Sequence, residues 1–228
     1  MKLLAFGDSF TYGLVKEPYR LSEKDSKQQS FVKNLEKNIS VFKKSNNFAE
    51  CGASNLQIAS TVYREIKKQK DKNCFVFVGW TTFTRNAHWM NKFEQYRTYD
   101  GNKHQDNIEK LYFDTEYSVL SVENLLTKLD IPFCMIQAFH DHADEDFLID
   151  KTYQIKNWIN WSRPNNTLFD ICAERYLSDK HYDDSKIYHA HRDFKNQFIA
   201  ECRHPSEQGH IKIAKVLQPY IENIIHTW

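Results

Sequence analysis

The chain has 228 residues with 31 basic and 30 acidic side chains, a formal net charge of +1, and 41% hydrophobic residues. Such a length and balance fit one α/β layer domain over 1–228 and are ordinary for a soluble globular protein, and the absence of a one-sign run leaves no basic stripe for nucleic acid. No apolar stretch reaches the roughly 18 residues of a membrane span, and the four apolar residues Leu3–Phe6 are too few for a signal-peptide core, so no membrane partner is expected.

Cytoplasmic synthesis is the expectation, with release by lysis or carriage on a virion left open. The five cysteines are odd in number and scattered, which fits reduced thiols serving as small hydrophobes.

Lys2–Phe6 reads as a short buried strand, followed by Gly7-Asp8-Ser9. From Gln28 to Ile39 apolar residues fall at helical spacing, and a short extended piece around Asn47–Glu50 ends at Cys51-Gly52. Asn55–Lys70 reads as a helix with Leu56, Ile58, Ala59, Val62 and Ile66 on one side. Cys74–Val78 is a continuous β-rich run closed by Gly79, the pattern of a strand covered on both faces.

Residues 84–110 lack a clear period and read as a loop-rich insertion. Tyr112–Leu129 is a second long helix and Ile131–Ile136 the next strand, with Pro132 near its start. Residues 140–195 read as a helical insertion, with pieces around Tyr153–Trp161 and Leu168–Tyr176. Glu207–Ile225 closes the chain as an amphipathic helix after Pro205. Strands separated by helices imply parallel βαβ units with right-handed crossovers.

In an open parallel sheet the carboxyl ends of the strands form the ligand edge. Gly7-Asp8-Ser9, Cys51–Asn55 and Gly79-Trp80-Thr81-Thr82 all follow strands there. A serine on a tight strand-to-helix turn is usable as a nucleophile, although such a tripeptide is more often a plain turn that caps a helix. Far along the chain, Glu201-Cys202-Arg203-His204-Pro205 places an acid three residues before a histidine. That spacing can bring a carboxylate to imidazole Nδ1, leaving Nε2 to take a proton from a serine.

Together these blocks resemble the SGNH/GDSL hydrolase family. Gly7-Asp8-Ser9-Phe10-Thr11-Tyr12-Gly13 is similar to its nucleophile block and Glu201–Gly209 to its last block, while Gly52 and Gly79 stand where its second and third blocks begin. No motif covers 84–195. The resemblance implies a flavodoxin-like three-layer αβα sandwich around a parallel sheet. It also implies Ser9 as nucleophile, His204 as general base and Glu201 as the residue that orients it. The Ser9 and Gly52 N–H groups would form two parts of the oxyanion hole, and no cofactor or metal is called for.

Two positions depart from the family. Glu201 replaces an aspartate, a mild change. Thr81 replaces the asparagine of Gly-x-Asn-Asp, whose amide donates to the oxyanion. A threonine hydroxyl can donate too, with less reach, and losing one such donor costs on the order of 3 kcal/mol. Arg85 or Asn55 could supply a donor instead.

Arg85 reads as a surface cation or a substrate clamp, Asn55 as a helix start or a lining residue, and Trp80 and Trp89 as core aromatics or a platform for a sugar or acyl group. His140-Asp141-His142-Ala143-Asp144 reads mainly as a solvated loop, with a metal-dependent hydrolase as its alternative, and His189 and His191 as a plain surface segment. The resemblance implies ester hydrolysis, with O-acetyl groups on carbohydrate as preferred substrate. The alternative is an SGNH scaffold with weak or lost chemistry that binds a glycan.

Overall fold

The computed structural model describes residues 1–13, 22–69, 72–82, 85–90, 95–100, 108–138, 155–159, 167–173, 197–200 and 204–228, with backbone alone at 85–90, 95–100 and 108–109. The apolar run after Met1 forms β1 (Lys2–Gly7), and the serine that follows it opens a short helix, α1 (Ser9–Tyr12). Helices α2 (Glu23–Gln28) and α3 (Phe31–Asn38) come next, each started by a serine whose hydroxyl accepts a backbone N–H. They lead to β2 (Lys44–Asn47), α4 (Asn55–Lys68) and β3 (Cys74–Trp80). The chain continues through β4 (Arg85–Met90), β5 (Gln95–Asp100), α5 (Ile108–Lys128), β6 (Phe133–Gln137), α6 (Leu168–Ala173) and α7 (Glu207–Thr227).

The main sheet has the order β2-β1-β3-β6, all parallel. Side chains of a strand alternate between faces, and both faces here are apolar. Leu3, Ala5, Phe75, Phe77, Cys134 and Ile136 pack with α3, α6 and α7. Leu4, Phe6, Val76, Val78, Trp80, Phe133 and Met135 pack with α4 and α5. The result is the three-layer αβα sandwich expected from strand–helix alternation. Full burial of such side chains contributes about 1.5–3 kcal/mol each, which makes these two cores the main support of the strand ends.

Three expectations need correction. The extended piece near Asn47 begins earlier, at Lys44, a polar and only half-buried stretch. Its backbone still follows β1 beyond the strand, through Phe48 N–H to Ala5 (2.8 Å) and Glu50 N–H to Gly7 (3.1 Å). Within the segment read as loop-rich, β4 and β5 form an antiparallel hairpin.

The third concerns the helix expected around Tyr153–Trp161. Residues 155–159 are a turn and a bridge beside β6, where Met135 N–H donates to Asn157 (3.2 Å) and Ile159 N–H to Met135 (2.8 Å). Asn157 takes φ of 61°, a left-handed conformation that breaks a right-handed helix. The rest of the expected helical insertion lies largely outside the described residues.

The strand order reverses direction between β1 and β3. In sheets of this kind the crevice at such a switch point, outside the strand carboxyl ends, is where ligands sit.

Candidate active site

The switch point is filled by the turn from β1 into α1. Asp8 caps α1: its Oδ1 accepts the Phe10 N–H at 3.0 Å, and its carbonyl accepts those of Thr11 (3.1 Å) and Tyr12 (2.9 Å). The far end of α1 is held by Asn47, whose Nδ2 donates to the carbonyls of Thr11 (2.7 Å) and Tyr12 (3.0 Å). Gly7 and Gly79 face each other across the ladder. A methyl group on either would run into the Thr11 hydroxyl, at 2.5 Å from the Gly79 side. Bare backbone at both positions therefore lets α1 settle onto the strand ends.

Ser9, the first residue of α1, is 4% exposed. Among the described residues no hydrogen bond occupies its hydroxyl or its N–H. Gly52 lies in the turn closed by Ala53 N–H to the Glu50 carbonyl (3.2 Å) and takes φ of +79°, a position in a turn that favours glycine. Its N–H likewise has no acceptor among the described residues. Two unspent backbone donors thus follow the carboxyl ends of adjacent strands, one carried by the serine.

A second group of side chains backs this turn. The Thr81 hydroxyl donates to Asp8 Oδ2 at 2.8 Å. A hydroxyl has one proton, so Thr81 in this arrangement braces Asp8 and has no proton left for an oxyanion. Asn55 is 2% exposed and grips the Thr81 peptide from both sides. Its Oδ1 accepts the Thr81 N–H (2.9 Å), and its Nδ2 donates to the Thr81 carbonyl (3.1 Å) and to Thr115 Oγ1 of α5 (3.2 Å). Both amide protons are used internally, so Asn55 holds the frame and offers no donor to a substrate. Trp80 belongs to the core beneath α4 and α5, with its ring closed off from solvent. Of the two readings for that indole, the core one describes its position.

Hydrogen bonds hold the described residues on either side of the histidine. Ala200 N–H donates to the His204 carbonyl and Ser206 N–H to that of Phe198, both at 2.9 Å. The Ser206 hydroxyl donates to the Gln197 carbonyl at 2.5 Å and accepts the Gly209 N–H at 3.1 Å, starting α7. The imidazole of His204 lies 5.8 Å, centroid to centroid, from the ring of Phe10, the residue after Ser9. Residues 9 and 204, far apart in sequence, are brought to one region of the fold. Glu201, the Arg85 side chain, Trp89, the His140–Asp144 run, His189 and His191 lie outside the described residues.

One buried residue was not singled out from sequence. His210 of α7 is fully buried, its Nδ1 accepts the Phe31 N–H at 3.3 Å, and its ring lies over that of Phe31 at 6.2 Å. Burial is the main cause that lowers its pKa to about 4; the Gly13 carbonyl opposes this, and nearby His204 adds to it. With Nδ1 accepting from Phe31, the proton of the neutral ring sits on Nε2, which is buried without a hydrogen-bond partner among the described residues. The sequence signal for His210 was faint, a histidine one turn into a capped helix, and only the fold shows that it joins α7 to α3 and the end of α1.

No family model matches the sequence, and no curated protein matches it. Solved structures match over nearly the whole chain. A protein of the lipolytic G-D-S-L family from Desulfitobacterium hafniense is 12% identical, with 96% of this chain and 98% of that one covered and a TM-score of 0.54. A psychrotrophic esterase from Pseudoalteromonas sp., inhibited by monoethylphosphonate, is 7% identical over 99% and 98% of the two chains, with a TM-score of 0.55. A catalytic mutant of an acetylxylan esterase from Geobacillus stearothermophilus is 15% identical over 96% and 93%, with a TM-score of 0.52. At such identities the likeness is one of fold: this chain has the α/β fold of these G-D-S-L and esterase proteins.

Proposed function

We propose that this chain, which has the fold of SGNH/GDSL hydrolases, is a serine hydrolase that cleaves carboxylic esters, with O-acetyl groups on carbohydrate as its substrate class. The observation that carries the reading is the Ser9 turn. A serine with an uncommitted hydroxyl stands at the switch point of a parallel sheet, two unspent N–H donors lie at the same edge, and a histidine ring lies against the neighbouring Phe10. The esterase activities of these structural neighbours support the same class of reaction.

In this mechanism Ser9 Oγ attacks the ester carbonyl while His204 accepts its proton, and Glu201 holds the imidazole in the required tautomer. The oxyanion receives the N–H groups of Ser9 and Gly52. Collapse of the tetrahedral species breaks the bond to the alcohol, which leaves with the proton from His204. Water then attacks the acyl-Ser9 ester with His204 as base again. The contribution of Thr81 is to keep Asp8, and hence the start of α1, in place. An oxyanion hole with two backbone donors and no side-chain amide gives up about 10²- to 10³-fold in rate against one with a third donor.

That last point favours a second reading, an SGNH scaffold with weak chemistry that binds a glycan. Hydrolysis of p-nitrophenyl acetate by the protein and by Ser9→Ala, with chelator present throughout, separates the two. Turnover abolished in the variant supports the serine mechanism. Equal rates in both proteins, or none in either, contradict it for this ester and leave the binding module as the better reading.

A further inference from the structure

Between α5 and the nucleophile turn runs an unbroken series of buried side-chain hydrogen bonds: Thr115 to Asn55, Asn55 to the Thr81 peptide, Thr81 to Asp8, and Asp8 to the Phe10 N–H. We propose that Asn55 is a positioning residue that couples the two halves of the oxyanion hole by clamping the Thr81 peptide. The proposal rests on the ester-hydrolase reading for its kinetic part and on geometry alone for its structural part.

The physical argument starts at the end of β3. Beyond Trp80 the chain leaves the ladder, so the Thr81 N–H and carbonyl lose their places in the sheet while remaining buried. Buried backbone groups need partners. The Asn55 carboxamide supplies a carbonyl oxygen and an N–H in the same plane, and so pairs with the Thr81 peptide much as another peptide group would.

This fixes where the Thr81 hydroxyl points. Its bond to Asp8 Oδ2 leaves Oδ1 free for the Phe10 N–H, and the orientation of α1 follows. Asn55 is also the first residue of α4, three positions after Gly52 in the chain. One side chain therefore sets the Ser9 N–H against the Gly52 N–H. A pair of donors must converge on one oxygen, and a misplacement of about 1 Å at such a site costs on the order of 100-fold in rate.

Neighbouring substitutions separate the clamp from general support of the core. Asn55→Ala removes all three bonds, Asn55→Asp keeps the acceptor for the Thr81 N–H and loses both donors, and Thr115→Val removes only the outer bond. Thr81→Val breaks the link to Asp8 with little change of volume.

Two readouts are taken on variants whose circular dichroism and thermal transition remain cooperative: steady-state kinetics on p-nitrophenyl acetate, and amide hydrogen exchange at Phe10. The expected result for Asn55→Ala is a kcat lower by roughly 10- to 100-fold with KM within about twofold, and exchange at Phe10 at least tenfold faster. Asn55→Asp follows it in direction, and Thr115→Val stays within about threefold of wild type in both readouts. Adding Asn55→Ala to Thr81→Val costs less than adding it to wild type, because the two act on Asp8 in series.

Should Asn55→Ala fail to fold, Asn55→Asp and the Thr81→Val background carry the same comparison. Unchanged Phe10 exchange in the Asn55 variants, or fully additive losses, overturns the proposal. Absence of Ser9-dependent turnover in the wild type contradicts the hydrolase reading instead, and the exchange measurement still decides the coupling.

Discussion

Acidification should weaken this fold through His210. In the folded chain burial holds the imidazole at about 4, against an ordinary value of 6.5. As pH falls below 6.5 the unfolded chain binds a proton that the folded chain refuses until about 4. The stability this neutral histidine contributes is therefore complete above 6.5, lost progressively as pH falls toward 4, and constant below it. At pH 4.5 the loss relative to neutral pH is on the order of 2–3 kcal/mol, a large share of a typical net stability.

The comparison variant is His210→Asn, which keeps an acceptor for the Phe31 N–H but cannot take up a proton. Urea denaturation of both proteins at pH 7.5 and pH 4.5 gives the difference directly. Wild type should lose about 2–3 kcal/mol more than the variant between the two conditions. Parallel pH dependence in the two proteins would refute the account of His210 as a neutral link between α7, α3 and the end of α1.

The paired glycines under α1 give a test of packing. Gly79→Ala drives a methyl group into the Thr11 hydroxyl and should cost about 1–3 kcal/mol in thermal unfolding. The next contacts lie at 3.5 and 3.6 Å, so Thr11→Ala in the same chain should restore most of the loss. Gly52→Ala meets no neighbouring atom, so its cost comes from φ of +79° alone. The expected effect is about 1–2 kcal/mol or a shifted turn, and in ester hydrolysis a fall in kcat that exceeds any change in KM.

Much of the architecture can be read in the residues. The runs Leu3–Phe6 and Cys74–Val78 are apolar at every position because the sheet is covered on both faces, and such runs announce themselves. The polar β2 does not, since Lys44–Asn47 sits at an edge and earns its place through backbone bonds to β1. The hairpin of β4 and β5 has no alternation strong enough to separate it from loop, and the left-handed Asn157 breaks what looked like a helical pattern.

At the candidate site, the turns that carry Ser9 and Gly52 are legible because tight turns after strands have local signatures. The roles of Thr81 and Asn55 are not, because their partners lie 73 and 26 positions away, and a hydroxyl that braces Asp8 looks in sequence like one that faces a substrate.

The most direct test of the central claim is covalent trapping of the nucleophile. The protein is treated with a fluorophosphonate at neutral pH, and its mass and modified peptide are read by mass spectrometry. Addition of one phosphonyl group at Ser9, absent in Ser9→Ala and much slower in His204→Ala, is the predicted result. No addition, or addition that persists in Ser9→Ala, would contradict the assignment of Ser9 as an activated serine.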